Sequence, residues 1–188
     1  MVMPYISLSN AQRALSLASQ RAGSEGLLIG IEDTKREGFI RVANAVFAKS
    51  QSPWFGYMAE DAYAGRNWMA IALAAIGKRG PQFLGFNDGK WHGALASFGL
   101  ASRAWAVKNY AGNFFYPEYK SHYADTELTL LALQEGVYVY EPSSVLVEVD
   151  WVKERAKVSA TDKALFHERK STGFDARVSE KKLLEMFS

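Results

Sequence analysis

Trp54-Phe55-Gly56-Tyr57-Met58-Ala59-Glu60-Asp61 is an apolar run that stops on two adjacent carboxylates. It reads as a buried strand that delivers an acidic pair to its own carboxyl end. In α/β proteins ligands bind in the crevice outside the carboxyl ends of the strands. Carboxylates are also the oxygen ligands that Mg²⁺ and Mn²⁺ prefer. The next stretch, Ala62 to Trp68, reads as a loop entering a helix over Trp68 to Ile76, which Gly77 closes.

Working outward, the same grammar repeats. Tyr5 to Ser9 reads as a short strand, followed by a helix from about Ala11 to Ala22 with Asn10 as its cap. Leu27 to Ile31 reads as a buried strand ending at Glu32-Asp33, and the segment Arg36 to Ser50 holds a helix. Gln82 to Phe86 reads as a further strand, ending at Asn87-Asp88-Gly89. Strand and helix in alternation predict an α/β fold with a mostly parallel central sheet flanked by helices. In such a sheet the groups Glu32-Asp33, Glu60-Asp61 and Asn87-Asp88 gather on one edge. Beyond Ala94 the rhythm loosens. Asn109 to Tyr123 is aromatic and loop-like, Thr126 to Glu135 reads as a helix stopped by Gly136, and two strands follow on either side of Pro142.

The 188 residues predict a single domain. Residues 1–90 form an expected first half carrying the three acidic strand ends, 91–150 a second half, and 151–188 a C-terminal helical extension. A hydrophobic share of 48% excludes a disordered chain. The net charge of +2 hides an asymmetry: from Trp151 onward nine Lys/Arg face six Asp/Glu, a local excess of +3. That tail reads as solvated helix faces, with no nucleic-acid partner expected. The chain has no cysteine, which excludes disulfides and thiolate-bound zinc and fits a cytoplasmic location. No apolar stretch reaches the roughly 20 residues of a transmembrane segment. Neither a glycine-rich phosphate loop nor a nucleophile elbow is present.

The order of these motifs resembles the GT-A fold glycosyltransferases, in particular the family 2-like nucleotide-sugar transferases, over about Tyr5 to Trp151, which implies that residues 1–90 are a nucleotide-binding half and 91–150 an acceptor and catalytic half. Ile29-Gly30-Ile31-Glu32-Asp33 is similar to the strand whose acidic end contacts the nucleotide base. Val42-Ala43-Asn44-Ala45 matches an alanine-asparagine step. Met58-Ala59-Glu60-Asp61, with Gly65 and Trp68 behind it, resembles the metal-binding DXD-type motif. Ala101-Ser102-Arg103 and Tyr123-Ala124-Asp125-Thr126-Glu127-Leu128 follow in the family's order. Three features depart from the pattern, one being that Leu130-Leu131-Ala132-Leu133 occupies the region where the acidic helix usually carries a basic residue. The acidic motif is Ala59-Glu60-Asp61, and Glu148-Val149-Asp150 stands where a metal-binding histidine is common.

The resemblance implies a metal-dependent, inverting glycosyltransferase that moves a sugar from a nucleotide-sugar donor, with a UDP-sugar expected, to a glycan or other hydroxyl acceptor. Mn²⁺ or Mg²⁺ would neutralise the leaving diphosphate, held by Asp61 and Asp150. Asp125 would be the base that takes the acceptor proton, with Glu127 beside it. Glu32, Asp33, Glu60, Asn87, Asp88 and Arg103 would bind the donor. The aromatics Phe114 to Tyr119 offer either a stacking surface for a sugar or a lid. Two alternatives share the same acidic sheet edge: a nucleotidyltransferase, and a nucleotide- or glycan-binding domain without turnover.

Overall fold

The structure, a computed structural model, describes residues 1–77, 80, 82–149 and 159–187. In chain order the elements are β1 (Val2–Tyr5), α1 (Leu8–Gln20), β2 (Ile29–Glu32), α2 (Phe39–Lys49), β3 (Trp54–Tyr57), β4 (Ala62–Ala64) and α3 (Trp68–Ile76). Then come β5 (Phe83–Asn87), β6 (Gly99–Ser102), α4 (Arg103–Ala106), α5 (Ala124–Gln134), β7 (Tyr138–Glu148), α6 (Ala160–Ser171), α7 (Gly173–Ala176) and α8 (Lys181–Glu185).

One seven-stranded sheet runs in the order β2-β1-β3-β6-β5-β7-β4. The expected mostly parallel sheet is only partly realised. The pairs β1–β2, β1–β3 and β5–β7 are parallel, whereas β3–β6, β5–β6 and β4–β7 are antiparallel. Only β6 and β4 are reversed, however: β5 and β3 both run opposite to β6, so β1, β2, β3, β5 and β7 share one direction. Their carboxyl ends therefore lie on one edge, and this positions the site.

Two clusters of buried side chains sit on either face of the sheet. Strand alternation divides them: Phe55, Tyr57 and Phe83 face one cluster, while Met58, Leu84 and Phe86 join the other. On the second face α1 buries Ala11, Ala14 and Ala18, and α3 buries Trp68, Ala72 and Ile76 at one-turn spacing. These small residues let the helices approach closely. Trp68 then donates its indole N–H to the Ala18 carbonyl at 2.9 Å. The first turn of α1 is capped by Ser7, which accepts from the Asn10 N–H at 3.5 Å, so Asn10 lies inside the helix.

Three local expectations change. Strand β3 ends at Tyr57, and Ala59 to Asp61 make a turn rather than the strand's last residues. The stretch read as a loop after Asp61 contains β4, whose buried Ala62 and Ala64 flank the exposed Tyr63 and pair with β7. The aromatic segment is neither lid nor platform. Phe114, Phe115 and Tyr119 are buried in the core, with the Phe114 ring 4.9 Å from Phe55 and 5.4 Å from Phe47. Asn44 explains its course: its carboxamide donates to the Phe115 carbonyl and accepts the N–H groups of Phe114 and Phe115.

Candidate active site

The carboxyl ends of β1, β2 and β3 open onto a cleft of about 440 Å³. Asp33, Glu60 and Asp61 line it, facing Arg36, Lys120 and His122 across the opening. Asp33, one residue past β2, is 8% exposed and accepts the N–H groups of Glu37 and Gly38, each at 2.8 Å. Burial pushes its carboxyl up, but these two N–H groups and the charges of Arg36 and Lys120 outweigh it, holding Asp33 below the usual carboxylate range. Asp33 thus shapes the turn before α2. Gly38 in that turn has φ 100°, and a Cβ there would lie 2.5 Å from the Lys120 carbonyl oxygen, so only glycine fits. The Lys120 carbonyl accepts the Ile40 N–H at 3.1 Å, welding the second cleft wall to α2.

Glu60 turns back to the β1–α1 connection. Its carboxylate accepts the N–H groups of Ile6 at 2.7 Å and Ser7 at 2.8 Å. Asp61 is 5% exposed, and its carbonyl accepts the Val149 N–H at 3.0 Å, which brings the end of β7 beside the acidic turn.

The wall formed by residues 120–122 hangs from a group the sequence reading did not single out. Asp162, in the first turn of α6 and 1% exposed, accepts the N–H groups of Lys120 (3.0 Å), Ser121 (3.0 Å) and His122 (2.9 Å). Its Oδ2 also lies 3.8 Å from His122 Nδ1. The C-terminal helices are therefore part of the site's frame.

Three residues after His122, Asp125 stands in the first turn of α5, where Tyr123 rather than Asp125 occupies the cap position. Its Oδ1 accepts the Thr126 N–H at 2.8 Å. Loss of hydration raises the Asp125 carboxyl to about 6, with the negative charge of Glu148 adding to the rise and Thr126 opposing it. A carboxyl at that value is half-ionised close to neutral pH, where a general base works best.

The remaining expected site residues fall elsewhere. Glu127, expected beside the base, points into the protein and is 0% exposed. Arg169 of α6 grips it bidentately, both contacts at 2.8 Å, and the Tyr119 hydroxyl donates at 2.9 Å. Both carboxylate oxygens are thereby engaged. Asn87 and Asp88 serve the β5–β6 connection. Asn87 bonds the Pro142 carbonyl and the Gly89 N–H, while Asp88 accepts from the Lys90 and Trp91 N–H groups and the Ser97 hydroxyl. Neither lines the cleft. Arg103 lies on the opposite edge because β6 runs backwards: Ser102 pairs with Trp54, the first residue of β3. Its guanidinium donates to the carbonyls of Ser52 and Phe47 and to the Ser50 hydroxyl. Glu32 is exposed at the end of β2, outside the cleft lining. Asp150, the expected second metal ligand, lies outside the described residues.

The donor set can be weighed against the expected Mn²⁺ or Mg²⁺. Among the described residues no group of three or more His, Asp or Glu side chains converges to hold a metal ion. In the acidic turn Glu60 Oε2 accepts two backbone N–H groups, and Asp61 supplies the turn's second carboxylate in the cleft. Among the described residues the donor set stops short of a divalent-cation site, and Asp150, expected to add to it, lies outside them. A second cavity, of about 340 Å³, opens among Leu27, Trp54, Phe55, Trp68, Met69 and Leu73. It is largely apolar and brings no carboxylates together.

The fold and this edge define the class: the chain has a GT-A-like glycosyltransferase fold. Among solved structures it is similar to the mannosyltransferase PcManGT from Pyrobaculum calidifontis, determined in complex with GDP-Man and Mn²⁺. The superposition has a TM-score of 0.66 at 13% sequence identity and covers 97% of this chain, which spans 66% of that protein's length. At that identity the likeness is one of fold. No protein-family profile matches the chain, and no curated protein sequence matches it. No helix among the described residues is long and apolar enough to cross a membrane.

Proposed function

We propose that the protein is a glycosyltransferase that moves a sugar from a nucleotide-sugar donor to an acceptor hydroxyl by single displacement with inversion. The observation that carries this reading is Asp125. Its carboxyl, in the first turn of α5 three residues beyond His122 of the cleft wall, is raised to about 6, on a fold shared with a mannosyltransferase. The donor lies in the cleft along the Asp33 turn and the acidic turn at Asp61. The acceptor oxygen attacks the anomeric carbon and its proton passes to Asp125. The bond from that carbon to the diphosphate breaks, and the diphosphate leaves with the electron pair. Glu127 acts as a positioning residue: through Arg169 it fixes the helix that carries Asp125. The expected Mn²⁺ or Mg²⁺ requirement is not carried into this reading, because the described donor set does not compose its site.

The test is release of nucleoside diphosphate from a panel of GDP- and UDP-sugars with glycan acceptors. Wild-type protein should turn over at least one donor, and Asp125→Asn should lower kcat by roughly 10²-fold or more. Nucleotide binding without turnover of any donor favours a binding domain. Pyrophosphate release from a nucleoside triphosphate and a sugar phosphate favours nucleotidyl transfer.

A further inference from the structure

We propose that Arg36, Lys120 and His122 form the anion subsite of the cleft and take the donor's diphosphate directly. The inference rests on reading the cleft as a nucleotide site. It starts from a charge inventory of the cleft walls. Of the three carboxylates lining it, Asp33 and Glu60 are each bound by two backbone N–H groups. Their charge is thus partly answered within the fold. Arg36 and Lys120 are exposed at the cleft rim. Among the described residues neither the guanidinium nor the ammonium is taken up in a hydrogen bond or ion pair. Both act on Asp33 at longer range.

His122 adds a third donor. Its Nδ1 is buried against Asp162, yet the side chain is 37% exposed and lines the cleft. The exposed part of the ring is therefore its Nε2 edge. Asp162 lies against the inner edge of the ring while holding the backbone of all three wall residues. The two walls are joined through Gly38 and Ile40 on Lys120, so the cations are held on a common frame rather than on separate flexible loops.

The chemistry of these groups suits a diphosphate. A guanidinium grips phosphate oxygens in a planar fork, an ammonium acts as a point charge, and an imidazole N–H donates to one oxygen. Each interaction strengthens as negative charge grows on the departing diphosphate. Asp61 also lines the cleft. Arg36 itself sits at φ 55°, a conformation that a non-glycine side chain occupies at a cost.

Isothermal titration of GDP, UDP and inorganic pyrophosphate, in buffer containing EDTA and again with Mn²⁺, tests the proposal. The variants are Arg36→Asn, which tolerates the left-handed backbone, Lys120→Gln and His122→Ala. Melting curves verify that each is folded. The expected result is binding of a nucleoside diphosphate in EDTA that weakens about tenfold or more for each cation removed. It should also weaken with added salt, while the weaker binding of the parent nucleoside stays unchanged. Binding that needs Mn²⁺ and is the same in all variants overturns the anion subsite and leaves the nucleotide-site reading standing. So does EDTA-resistant binding that the variants do not alter. Absence of nucleotide and pyrophosphate binding under every condition overturns both.

Discussion

Arg169→Met should be among the most damaging single substitutions in this chain, although the residue lies in a segment whose sequence reads as a solvated tail. The Arg169 side chain is 7% exposed and its partner Glu127 is 0% exposed. Removing the guanidinium leaves a carboxylate in the interior with the Tyr119 hydroxyl still bonded to it at 2.9 Å. Breaking a buried pair in this way costs about 3–5 kcal/mol, because the stranded charge cannot reach water. The contact of Arg169 with Asp175 adds little, since that carboxylate is 66% exposed. The Tyr116 ring, 3.4 Å from the guanidinium carbon, loses a stacking partner as well. For a chain of this length each kcal/mol moves Tm by about 2–4 °C, so a fall of roughly 6–20 °C is expected. Urea unfolding followed by tryptophan fluorescence, with calorimetry alongside, measures it. The double variant Glu127→Leu with Arg169→Met removes both charges and should recover most of the loss. A cost below about 1 kcal/mol for Arg169→Met, or a double variant as unstable as the sum of the singles, refutes the reasoning. If Glu127→Gln abolished turnover while leaving stability untouched, Glu127 would return to the chemistry.

Three further outcomes are expected. Turnover should rise with pH along an acid limb near 6, the value to which Asp125 is raised, and Asp125→Asn should remove that limb with the activity. The native carboxyl binds its proton more tightly than the unfolded one, so its contribution to stability is fully present below about pH 4 and is lost as pH rises through about 6; Asp125→Asn should therefore leave Tm unchanged or raised at pH 7.5. Asp162→Ala should free the N–H groups of Lys120, Ser121 and His122, read as faster hydrogen exchange at those three amides and a raised KM for donor with a smaller change in kcat. Phe114→Ala should cost about 3–5 kcal/mol in urea unfolding, as expected for a fully buried aromatic, and a cost below about 1 kcal/mol would place that ring outside the core.

The placement of Asp33 and Asp61 past the carboxyl ends of β2 and β3 was legible because an apolar run stopping on acids reads as a strand leaving the sheet, although β3 itself stops at Tyr57. The helix Trp68–Ile76 was legible too, its small and apolar residues bounded by Asn67 and Gly77. Arg103 was not, because nothing local shows that β6 runs against its neighbours and so carries its serine-arginine step to the far edge. Glu127 and Asp125 look alike in sequence, both acids in one helical turn. Two residues apart, however, they project about 200° from each other, so one faces the core when the other faces the sheet edge. That spacing was a usable signal. Asp162, Phe166 and Arg169 carried another: at i, i+4 and i+7 they form a single stripe, and all three are buried. Charged residues inside such a stripe point to buried partners. Which partners they find, the 120–122 wall and Glu127, depends on contacts across about 40 residues that no local pattern encodes.

The most direct measurement is a crystal structure of the protein grown with GDP or UDP. The account predicts the diphosphate in the cleft between the Asp33 turn and residues 120–122, within reach of Arg36, Lys120 and His122, and with the path to Asp125 open. A nucleotide seated in the apolar cavity by Trp54 and Trp68, or on the far edge beside Arg103, would contradict it.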